Sequence, residues 1–281
     1  MLEDFAGRVA VITGAGSGIG AALAHACAAE GMKVVVADID QGRADTVAAS
    51  IEGTAGATAL ACAVDVADPE SVDRFAEEVG KAFGAPDLLC NNAGVSPFGL
   101  LWEFAPVDWN WLIGVNILGV ANCIRSFVPR MIAAGRGGHI VNTASAAALQ
   151  GQTRLGAYSA TKHAVLGISD SLRLDLLPHG IGVSALCPGG VNTNISQTLG
   201  RLSSTDPKDL DADVGAYIAS IDASMSTAIE PERVAALVLR GVRENQPYIM
   251  TAPGQKPSVA QRCETILAAH DHAREIDPSL P

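Results

Sequence analysis

The chain has 281 residues, of which 48% are hydrophobic, so an intrinsically disordered protein is excluded. Its formal net charge is −11 and it has no cluster of lysines and arginines, which argues against nucleic-acid or anionic-membrane binding. The first residues lack a signal-peptide pattern, and no apolar run approaches the ~18 residues of a transmembrane helix. We therefore expect a single α/β domain with a variable tail, located in the cytoplasm.

Short β-branched runs alternate with alanine-rich stretches of helical spacing along most of the chain. Strands are predicted at residues 9–13, 33–37, 61–65, 87–91, 139–143 and 182–187. Helices are predicted near 19–30, 41–52, 69–83, 106–134 and 156–178. Continuously apolar strands that alternate with helices indicate βαβ units, in which helices cover both faces of a parallel sheet. The pattern thus predicts a doubly wound sheet of about seven strands.

The regularity fades after the sixth predicted strand. Residues 192–228 are polar and weakly periodic, a helix is predicted to begin near Pro231, and a last short strand is predicted at 247–250. We expect one domain over residues 1–255, followed by a C-terminal extension over 256–281 that forms a peripheral helix with a frayed end.

The cysteines and histidines predict neither disulfides nor a metal site. Six cysteines stand at positions 27, 62, 90, 123, 187 and 263 and form no Cys-x-x-Cys pair. Disulfide frameworks are typical of small secreted domains, so we interpret these residues as free thiols, mostly buried, in a reducing compartment. His270 and His272 lie on a polar tail and lack a third ligand.

A glycine-rich turn follows the first strand and begins the first helix, in the sequence Thr13-Gly-Ala-Gly-Ser-Gly-Ile-Gly20. Glycines there allow a sharp turn and let a pyrophosphate approach the helix N-terminus, whereas the alternative is a simple tight βα turn. The candidate cofactor contacts in this turn are Gly14, Ser17, Gly18, Ile19 and Gly20.

Two carboxylates end the second and third predicted strands. Asp38 can accept hydrogen bonds from the adenosine ribose hydroxyls and would repel a 2′-phosphate. Neither Ser17 nor Ile39 beside it is basic, so we expect NAD rather than NADP. Asp65, followed by Val66, is placed to bind the adenine amino group, although an N-cap role for Asp65 is the alternative.

Tyr158 and Lys162 are four residues apart and therefore share one helical face. A nearby ammonium is expected to lower the pKa of the tyrosine, which could then exchange a proton with an alcohol or ketone oxygen. Such a pair is common in helices, and Ser145 strengthens the interpretation because it follows the fifth strand at the ligand-binding edge.

On these residues the chain resembles the short-chain dehydrogenase/reductase family over residues 7 to about 250. The matching segments are the glycine-rich turn, Asn91-Asn-Ala-Gly94, Asn116, Ser145, Tyr158, Lys162 and Pro188-Gly-Gly-Val-Asn-Thr193. The resemblance implies a Rossmann fold, a nicotinamide cofactor and a Ser–Tyr–Lys catalytic centre. It also implies that Asn116 bends its helix and holds a water that links Lys162 to solvent.

The resemblance assigns further contacts to the cofactor. Lys162 would bind the nicotinamide ribose, and Val191 and Thr193 would hold the carboxamide. The remaining assigned contacts, on the ribose side and beyond the sixth strand, are Asn92, Ala93, Gly94, Pro188 and Gly189. The same resemblance implies a homodimer or homotetramer built through helices 106–134 and 156–178.

Residues 192–228 resemble the family's substrate-binding loop. The predicted substrate contacts are Ser145, Gln150 and Tyr158, with a pocket completed by Ser96, Ala147, Leu149, Leu155, Asn194 and Ile195. These residues are mostly uncharged, Arg154 being the possible exception, so we expect a neutral, aromatic or bulky secondary alcohol or its ketone. Segments 108–140 and 229–250 are similar to bacterial dehydrogenases of lignin-derived aryl alcohols.

Two other functions stay open from the sequence. One is an NADP-linked carbonyl reductase with the same fold and catalytic residues. The other is a non-catalytic protein that senses a dinucleotide. The cofactor affinities distinguish the first from an NAD-dependent dehydrogenase, and the absence of turnover would favour the second.

Overall fold

The computed structural model describes residues 2–193 and 228–277. Its centre is a seven-stranded parallel sheet in the order β3-β2-β1-β4-β5-β6-β7. The strands are β1 (Val9–Thr13), β2 (Lys33–Asp38), β3 (Thr58–Ala63), β4 (Leu88–Asn91), β5 (Gly138–Thr143), β6 (Ile181–Cys187) and β7 (Tyr248–Met250). The strand order reverses between β1 and β4, and the carboxyl ends diverge there to open a crevice where ligands bind in folds of this kind.

Helices cover both faces of the sheet. They are α1 (Gly18–Ala29), α2 (Gln41–Glu52), α3 (Pro69–Ala82), α4 (Pro106–Ile113), α5 (Gly119–Ala134), α6 (Gly156–Leu176), α7 (Pro231–Arg243) and α8 (Lys256–Ile276). Helices α1, α2 and α7 share one hydrophobic core with the sheet, and α3, α5 and α6 share the other. The prediction of a doubly wound, Rossmann-type α/β fold is confirmed.

The two cores explain why the central strands are mostly apolar on both faces. In β1, Ile12 packs with Leu23 in the core on one face, while Val11 packs with Phe75 and Phe127 in the core on the other. Burial of each large apolar side chain contributes about 1.5–3 kcal/mol, so a polar replacement of Val11 or Ile12 would cost a comparable amount. The five strand residues are all buried.

Some boundaries differ from the predictions. The third strand spans Thr58–Ala63 rather than 61–65, and its first three residues pair with Lys33, Val34 and Val35. It lies at the edge of the sheet and is mostly exposed or half-buried, so its sequence lacks the apolar run that marks the central strands. The predicted helix over 106–134 is two helices, α4 and α5, joined by a π-helical turn at Gly114–Leu118.

The stretch 106–134 is apolar and long enough to cross a membrane by length and composition, but half of its most apolar window is buried within the protein. Such burial is what a core helix requires. Helix α8 is different, because none of its residues is buried. Five cysteines are buried and free, as expected, whereas Cys263 on α8 is exposed.

Candidate active site

A cavity of about 870 Å³ lies at the carboxyl ends of the strands. Its walls include nearly all of the predicted cofactor contacts: Gly14, Ser17, Gly18, Ile19, Asp38, Asp65, Val66, Asn92, Ala93, Gly94, Tyr158, Lys162, Pro188, Gly189, Val191 and Thr193. Ser145 also lines it. Parallel strands end at one edge of the sheet, which is why residues so distant in the sequence meet there.

Gly20 is the exception among the predicted cofactor contacts, because it does not line the cavity. A β-carbon at this position would collide with the carbonyl oxygen of Gly14. Gly20 therefore allows helix α1 to pack against the turn, and the prediction of a direct cofactor contact at Gly20 is not supported by its position.

The glycine-rich turn is held against the loop after β4. The Thr13 hydroxyl accepts hydrogen bonds from the backbone N–H groups of Asn92 (3.0 Å) and Ala93 (3.1 Å). The Asn92 side chain donates to the carbonyl oxygen of Thr13 at 3.1 Å. Gly14 has φ of +63°, and a β-carbon there would lie 2.8 Å from the Ala93 Cα atom. Only glycine fits this position.

Helix α1 begins at the wall of the cavity. Its N-cap, Ser17, makes no side-chain capping hydrogen bond, and its first turn has no acidic residue. The first N–H groups of a helix lack partners within the helix, and the helix dipole adds a partial positive charge there. The uncapped first turn therefore suits a pyrophosphate, and the glycines around it leave room for one.

Asp38 is buried at the end of β2 and is already engaged by neighbouring groups. Its Oδ2 atom accepts from the Gly16 backbone N–H at 2.9 Å, and its Oδ1 accepts from the Asp40 N–H at 3.1 Å. Arg43 donates to the same Oδ1 from 3.0 Å. Although the neighbours named from the sequence, Ser17 and Ile39, are not basic, a basic residue does lie beside this carboxylate. Arg43 lines the same cavity, in the first turn of α2.

Asp65 follows β3 in a turn rather than ending the strand. Its carboxylate accepts from the Ala67 backbone N–H at 2.9 Å, so it caps its own turn. Asp68, rather than Asp65, is the N-cap of α3 and accepts from the Glu70 N–H at 2.9 Å. Asp65 is exposed, Val66 is buried, and both line the cavity. Asp65 keeps carboxylate lone pairs that can accept a further hydrogen bond.

Ser145, in the turn after β5, and Tyr158, on α6, lie close together on the cavity wall. Ser145 caps a short 3₁₀ turn, because its hydroxyl accepts from the Ala147 N–H at 3.1 Å. Burial raises the pKa of Tyr158 above its ordinary value, and the nearby Ser145 hydroxyl opposes part of that increase. The expectation that Lys162 lowers the pKa of Tyr158 is wrong for this structure, because desolvation dominates.

Lys162 lies one turn after Tyr158 and is buried. Its ammonium donates to the carbonyl oxygen of Thr143 at 2.7 Å and lies 5.6 Å from the centre of the Tyr158 ring. Burial lowers the pKa of Lys162 to about 8, and the neighbouring Cys187 opposes this decrease. A cation at this distance favours the phenolate form of Tyr158, although more weakly than a direct hydrogen bond would.

Asn116 lies in the π-helical turn and is fully buried, so the expected distortion of its helix is present. Its side chain does not point freely into the cavity. It accepts from the Val95 N–H and donates to the Val95 carbonyl oxygen, both at 2.9 Å, and donates to the Thr161 hydroxyl at 3.0 Å. A β-carbon at Gly94 would lie 3.3 Å from Lys162 Nζ and 3.4 Å from Asn116 Oδ1, so Gly94 keeps these two groups close.

The segment after β6 closes another side of the cavity. The Pro188 carbonyl oxygen accepts from the Ala146 N–H at 2.8 Å, which joins this segment to the turn after Ser145. The Gly189 N–H donates to the Thr251 hydroxyl at 3.0 Å. Val191 forms a parallel bridge with Ile229, and Thr193 lies beside Gly18. These contacts place Val191 and Thr193 opposite the glycine-rich turn.

The predicted substrate residues are only partly where they were expected. Ser96, Ala147 and Leu155 line the cavity, whereas Gln150 and Leu149 do not. Gln150 therefore lies off the described cavity wall, and its substrate contact stays a prediction. After the short turn over Ala146–Ala148, the chain brings Gln152 to the wall instead. Asn194 and Ile195 fall outside the described residues.

Trp111 and Val115 also line the cavity, and the sequence interpretation missed them. They are four residues apart across the junction of α4 and the π-helical turn, so the helical spacing between the two was a signal that they share one face. Arg154 does not line the cavity, and its guanidinium lies 6.0 Å from the Phe98 ring. Lys162 is thus the one charged residue on the catalytic side of the described wall.

Comparison with known proteins relates the chain to one family. Residues 8–202 match a family model described as short chain dehydrogenase. A C alpha-dehydrogenase of Sphingobium sp. strain SYK-6 is 36% identical over 267 residues, which cover 95% of this chain and 87% of that protein.

Solved structures show the same relationship. A short chain dehydrogenase/reductase from Burkholderia phymatum in complex with NAD is 36% identical, with a TM-score of 0.88 over 95% of this chain and 96% of that one. A metagenomic short-chain oxidoreductase in complex with NADP is 32% identical, with a TM-score of 0.69 over 88% of this chain and 96% of that one. Similarity alone therefore does not choose between the two cofactors.

Proposed function

Since this chain belongs to the short-chain dehydrogenase family of oxidoreductases, we propose that it is an NAD-dependent dehydrogenase. It would transfer a hydride between NAD(H) and a neutral, aromatic or bulky secondary alcohol or ketone, with Tyr158 as the general acid and base. The observation that carries this proposal is that Ser145, Tyr158 and Lys162 share one cavity with the uncapped N-terminus of α1.

The cavity fits a dinucleotide. The α1 N-terminus would bind the pyrophosphate, Asp38 the adenosine ribose, and Lys162 the nicotinamide ribose. Val191 and Thr193 would hold the carboxamide from the opposite side. When bound, the oxidised cofactor would supply a hydride acceptor and a positive charge.

The protein's own residues would handle the proton. In alcohol oxidation, Ser145 holds the substrate oxygen and the Tyr158 phenolate takes the hydroxyl proton as the hydride leaves the carbinol carbon. In ketone reduction, the Tyr158 phenol returns that proton to the oxygen. Burial raises the pKa of Tyr158, so the phenolate requires the positive charge of Lys162 and of the cofactor. Asn116 is hydrogen-bonded to the backbone of Val95, and the loop held in this way would keep Lys162 in place.

NAD is the proposed cofactor because Asp38 lies where the adenosine ribose would bind. A buried carboxylate accepts hydrogen bonds from two hydroxyls, whereas it repels a 2′-phosphate. The similar protein from Burkholderia phymatum, which is in complex with NAD, supports the same choice. The alternative is an NADP-linked carbonyl reductase, like the metagenomic relative in complex with NADP.

The proposed substrate class follows from the catalytic side of the cavity. Trp111, Val115 and Leu155 give it an aromatic and aliphatic wall, and Gln152 adds an uncharged polar group. Among the residues that the structure describes, Lys162 is the one arginine or lysine on that side, so an anionic substrate would lack a further cationic partner. The similarity to a C alpha-dehydrogenase supports an alcohol as substrate, and the Trp111 ring supports an aryl group beside the carbinol carbon.

Replacement of Tyr158 tests the proposal. We expect Tyr158→Phe to reduce turnover of secondary aryl alcohols at least about 100-fold, because the proton acceptor is lost. NADH binding, followed by fluorescence, should change less than about threefold. If the unmodified protein binds NADH but oxidises no alcohol in a broad panel, the chain is a dinucleotide sensor rather than an enzyme.

We also propose that the protein is a cytoplasmic homodimer or homotetramer. Helices α5 and α6 carry partly buried apolar residues that a second copy could cover, among them Ile124, Leu166 and Ile168. Light scattering of the purified protein tests the assembly, and a monomeric mass would contradict it.

A further inference from the structure

The carboxylate of Asp38 has little acceptor capacity to spare. Its Oδ1 atom accepts from both the Asp40 N–H and Arg43, and its Oδ2 accepts from the Gly16 N–H. A carboxylate has about four lone-pair positions, so three of them are occupied. A ribose that offers two hydroxyl donors must therefore share Oδ1 with Arg43 or displace it.

Arg43 is free to move when this happens. Its side chain is 48% exposed, whereas that of Asp38 is 7% exposed. Its second ion pair, with Asp40, spans 3.5 Å and is exposed on both sides. Because Arg43 itself is half-exposed, its guanidinium can leave Asp38 and still remain at the rim of the adenosine end of the cavity.

We propose that Arg43 is a second cofactor-selecting residue, which gives the protein measurable affinity for NADP beside its preference for NAD. This inference rests on the proposed function. The guanidinium lies within hydrogen-bonding distance of the carboxylate that would hold the ribose, so it can reach a phosphate on the 2′-oxygen. A planar guanidinium binds a phosphate through paired, charge-assisted hydrogen bonds.

The charges of the cluster predict a moderate selectivity. Asp38 and Asp40 carry negative charge and Arg43 carries positive charge, so the cluster keeps a net charge of about −1 and NAD remains preferred. The ion pair neutralises part of the repulsion that Asp38 alone would exert on a 2′-phosphate. A charge-assisted hydrogen bond contributes a factor of about 10 to 100 in affinity.

The test compares the binding of NADH and NADPH to the full chain, measured by cofactor fluorescence without an alcohol substrate. We expect Arg43→Ala to lower the ratio of NADPH affinity to NADH affinity about 10-fold or more, because only NADPH carries the phosphate that Arg43 would bind. Arg43→Lys should retain part of the NADPH affinity, because it keeps the charge but loses the paired geometry. Asp38→Asn should strengthen NADPH binding and weaken NADH binding.

Arg74→Ala is the matched control. Arg74 is an exposed arginine in α3 that pairs with the N-cap Asp68, as Arg43 pairs with the N-cap Asp40, and it lies outside the cavity. Its replacement should leave both affinities unchanged. If Arg43→Ala binds NADH normally and the ratio of NADPH to NADH affinity is unchanged, the inference about Arg43 is wrong while the proposed function stands. If the unmodified protein binds no NADH, the proposed function fails and the inference fails with it.

Discussion

The ammonium of Lys162 donates a 2.7 Å hydrogen bond to the carbonyl oxygen of Thr143, the last residue of β5. This contact fixes the cation at the edge of the sheet, 5.6 Å from the Tyr158 ring. Lys162 therefore acts on the phenol through space, and its position depends on β5 rather than on the tyrosine. Its burial also has an energetic cost, because the pKa of Lys162 falls to about 8 in the folded protein.

Replacement of Lys162 by methionine should remove activity and increase stability. The wild-type protein buries an ammonium below pH 8, and the lowered pKa corresponds to a cost of about 3 kcal/mol at pH 7. Loss of the charge-assisted hydrogen bond to Thr143 offsets about 1.5–3 kcal/mol of that gain. We expect Lys162→Met to unfold at higher denaturant concentration than the wild type at pH 7, with turnover reduced at least about 100-fold.

The pH dependence of that difference distinguishes burial of charge from other causes. The cost is fully present below the folded pKa of about 8 and disappears as the pH rises toward the unfolded value of 10.5. The stability difference between Lys162→Met and wild type should therefore shrink over this range. Lys81→Met, at an exposed site on α3, should show no such trend. A Lys162→Met protein that is less stable than wild type at pH 7 would contradict the argument.

The sequence predicted that the site residues would meet, because the topology of a parallel sheet brings the ends of its strands to one edge. Ser145 and the Asn91–Gly94 segment follow strands, and parallel strands end at one edge, so their meeting required no knowledge of side-chain contacts. The Tyr158–Lys162 spacing placed both residues on one face of α6 in the same way.

Three other features of the site depended on side-chain contacts and burial, which the periodicity of the sequence does not reveal. Arg43 reaches back from the first turn of α2 to the end of β2, and only the helix direction reveals this contact. The positions of Gln150 and Gln152 relative to the cavity depended on an irregular turn with no sequence period. The pKa of Tyr158 depended on burial, which outweighs a cation 5.6 Å away.

Gln152 provides a test of the substrate wall with a matched control in the same loop. Gln152 lines the cavity and Gln150 does not. We expect Gln152→Ala to change kcat/KM for secondary aryl alcohols that carry a ring oxygen by about threefold to tenfold, as loss of one neutral hydrogen bond would. Gln150→Ala should change it less than twofold. Equal effects of the two replacements, measured by steady-state kinetics, would place the substrate elsewhere.

Thr161 is a positioning residue between two helices. Its buried hydroxyl accepts from Asn116 at 3.0 Å and donates to the Tyr158 carbonyl oxygen at 2.8 Å. Thr161→Val keeps the shape but leaves an Asn116 N–H without this acceptor, which should cost about 1–3 kcal/mol of unfolding free energy. We expect kcat to fall severalfold and the alkaline limb of its pH profile to shift, because Asn116 and Lys162 meet beside Gly94.

Thr161→Ser separates the hydroxyl from the methyl group. Its unfolding free energy should lie within about 1 kcal/mol of wild type, since the hydrogen bonds are kept. Its kcat should lie within about twofold of wild type across the pH profile. Denaturant unfolding and pH-dependent kinetics of the three proteins give the comparison. If serine and valine lose activity equally, the methyl group matters through packing and the hydroxyl does not position Asn116.

His139 should make the protein sensitive to acid. It is fully buried in β5, and its Nε2 lies 2.7 Å from the Ser184 hydroxyl, which itself donates to the Gln246 carbonyl oxygen. The hydroxyl therefore accepts from Nε2–H, and Nδ1 has no hydrogen-bond partner in the described part of the chain. Burial, with a smaller effect of Arg173, lowers the pKa of His139 to about 3.

The sign of the effect follows from proton uptake. Between the unfolded pKa of 6.5 and the folded value of about 3, only the unfolded chain binds this proton, so acidification favours unfolding. Each pH unit in that range costs about 1.4 kcal/mol, provided that no other group compensates. His139→Gln keeps a donor for Ser184 but does not titrate, so its unfolding free energy should decline less steeply between pH 6.5 and 4.5. Denaturant unfolding at several pH values measures both slopes, and His270→Gln on exposed α8 should keep the wild-type slope. Equal slopes for His139→Gln and wild type would show that another group causes the acid sensitivity.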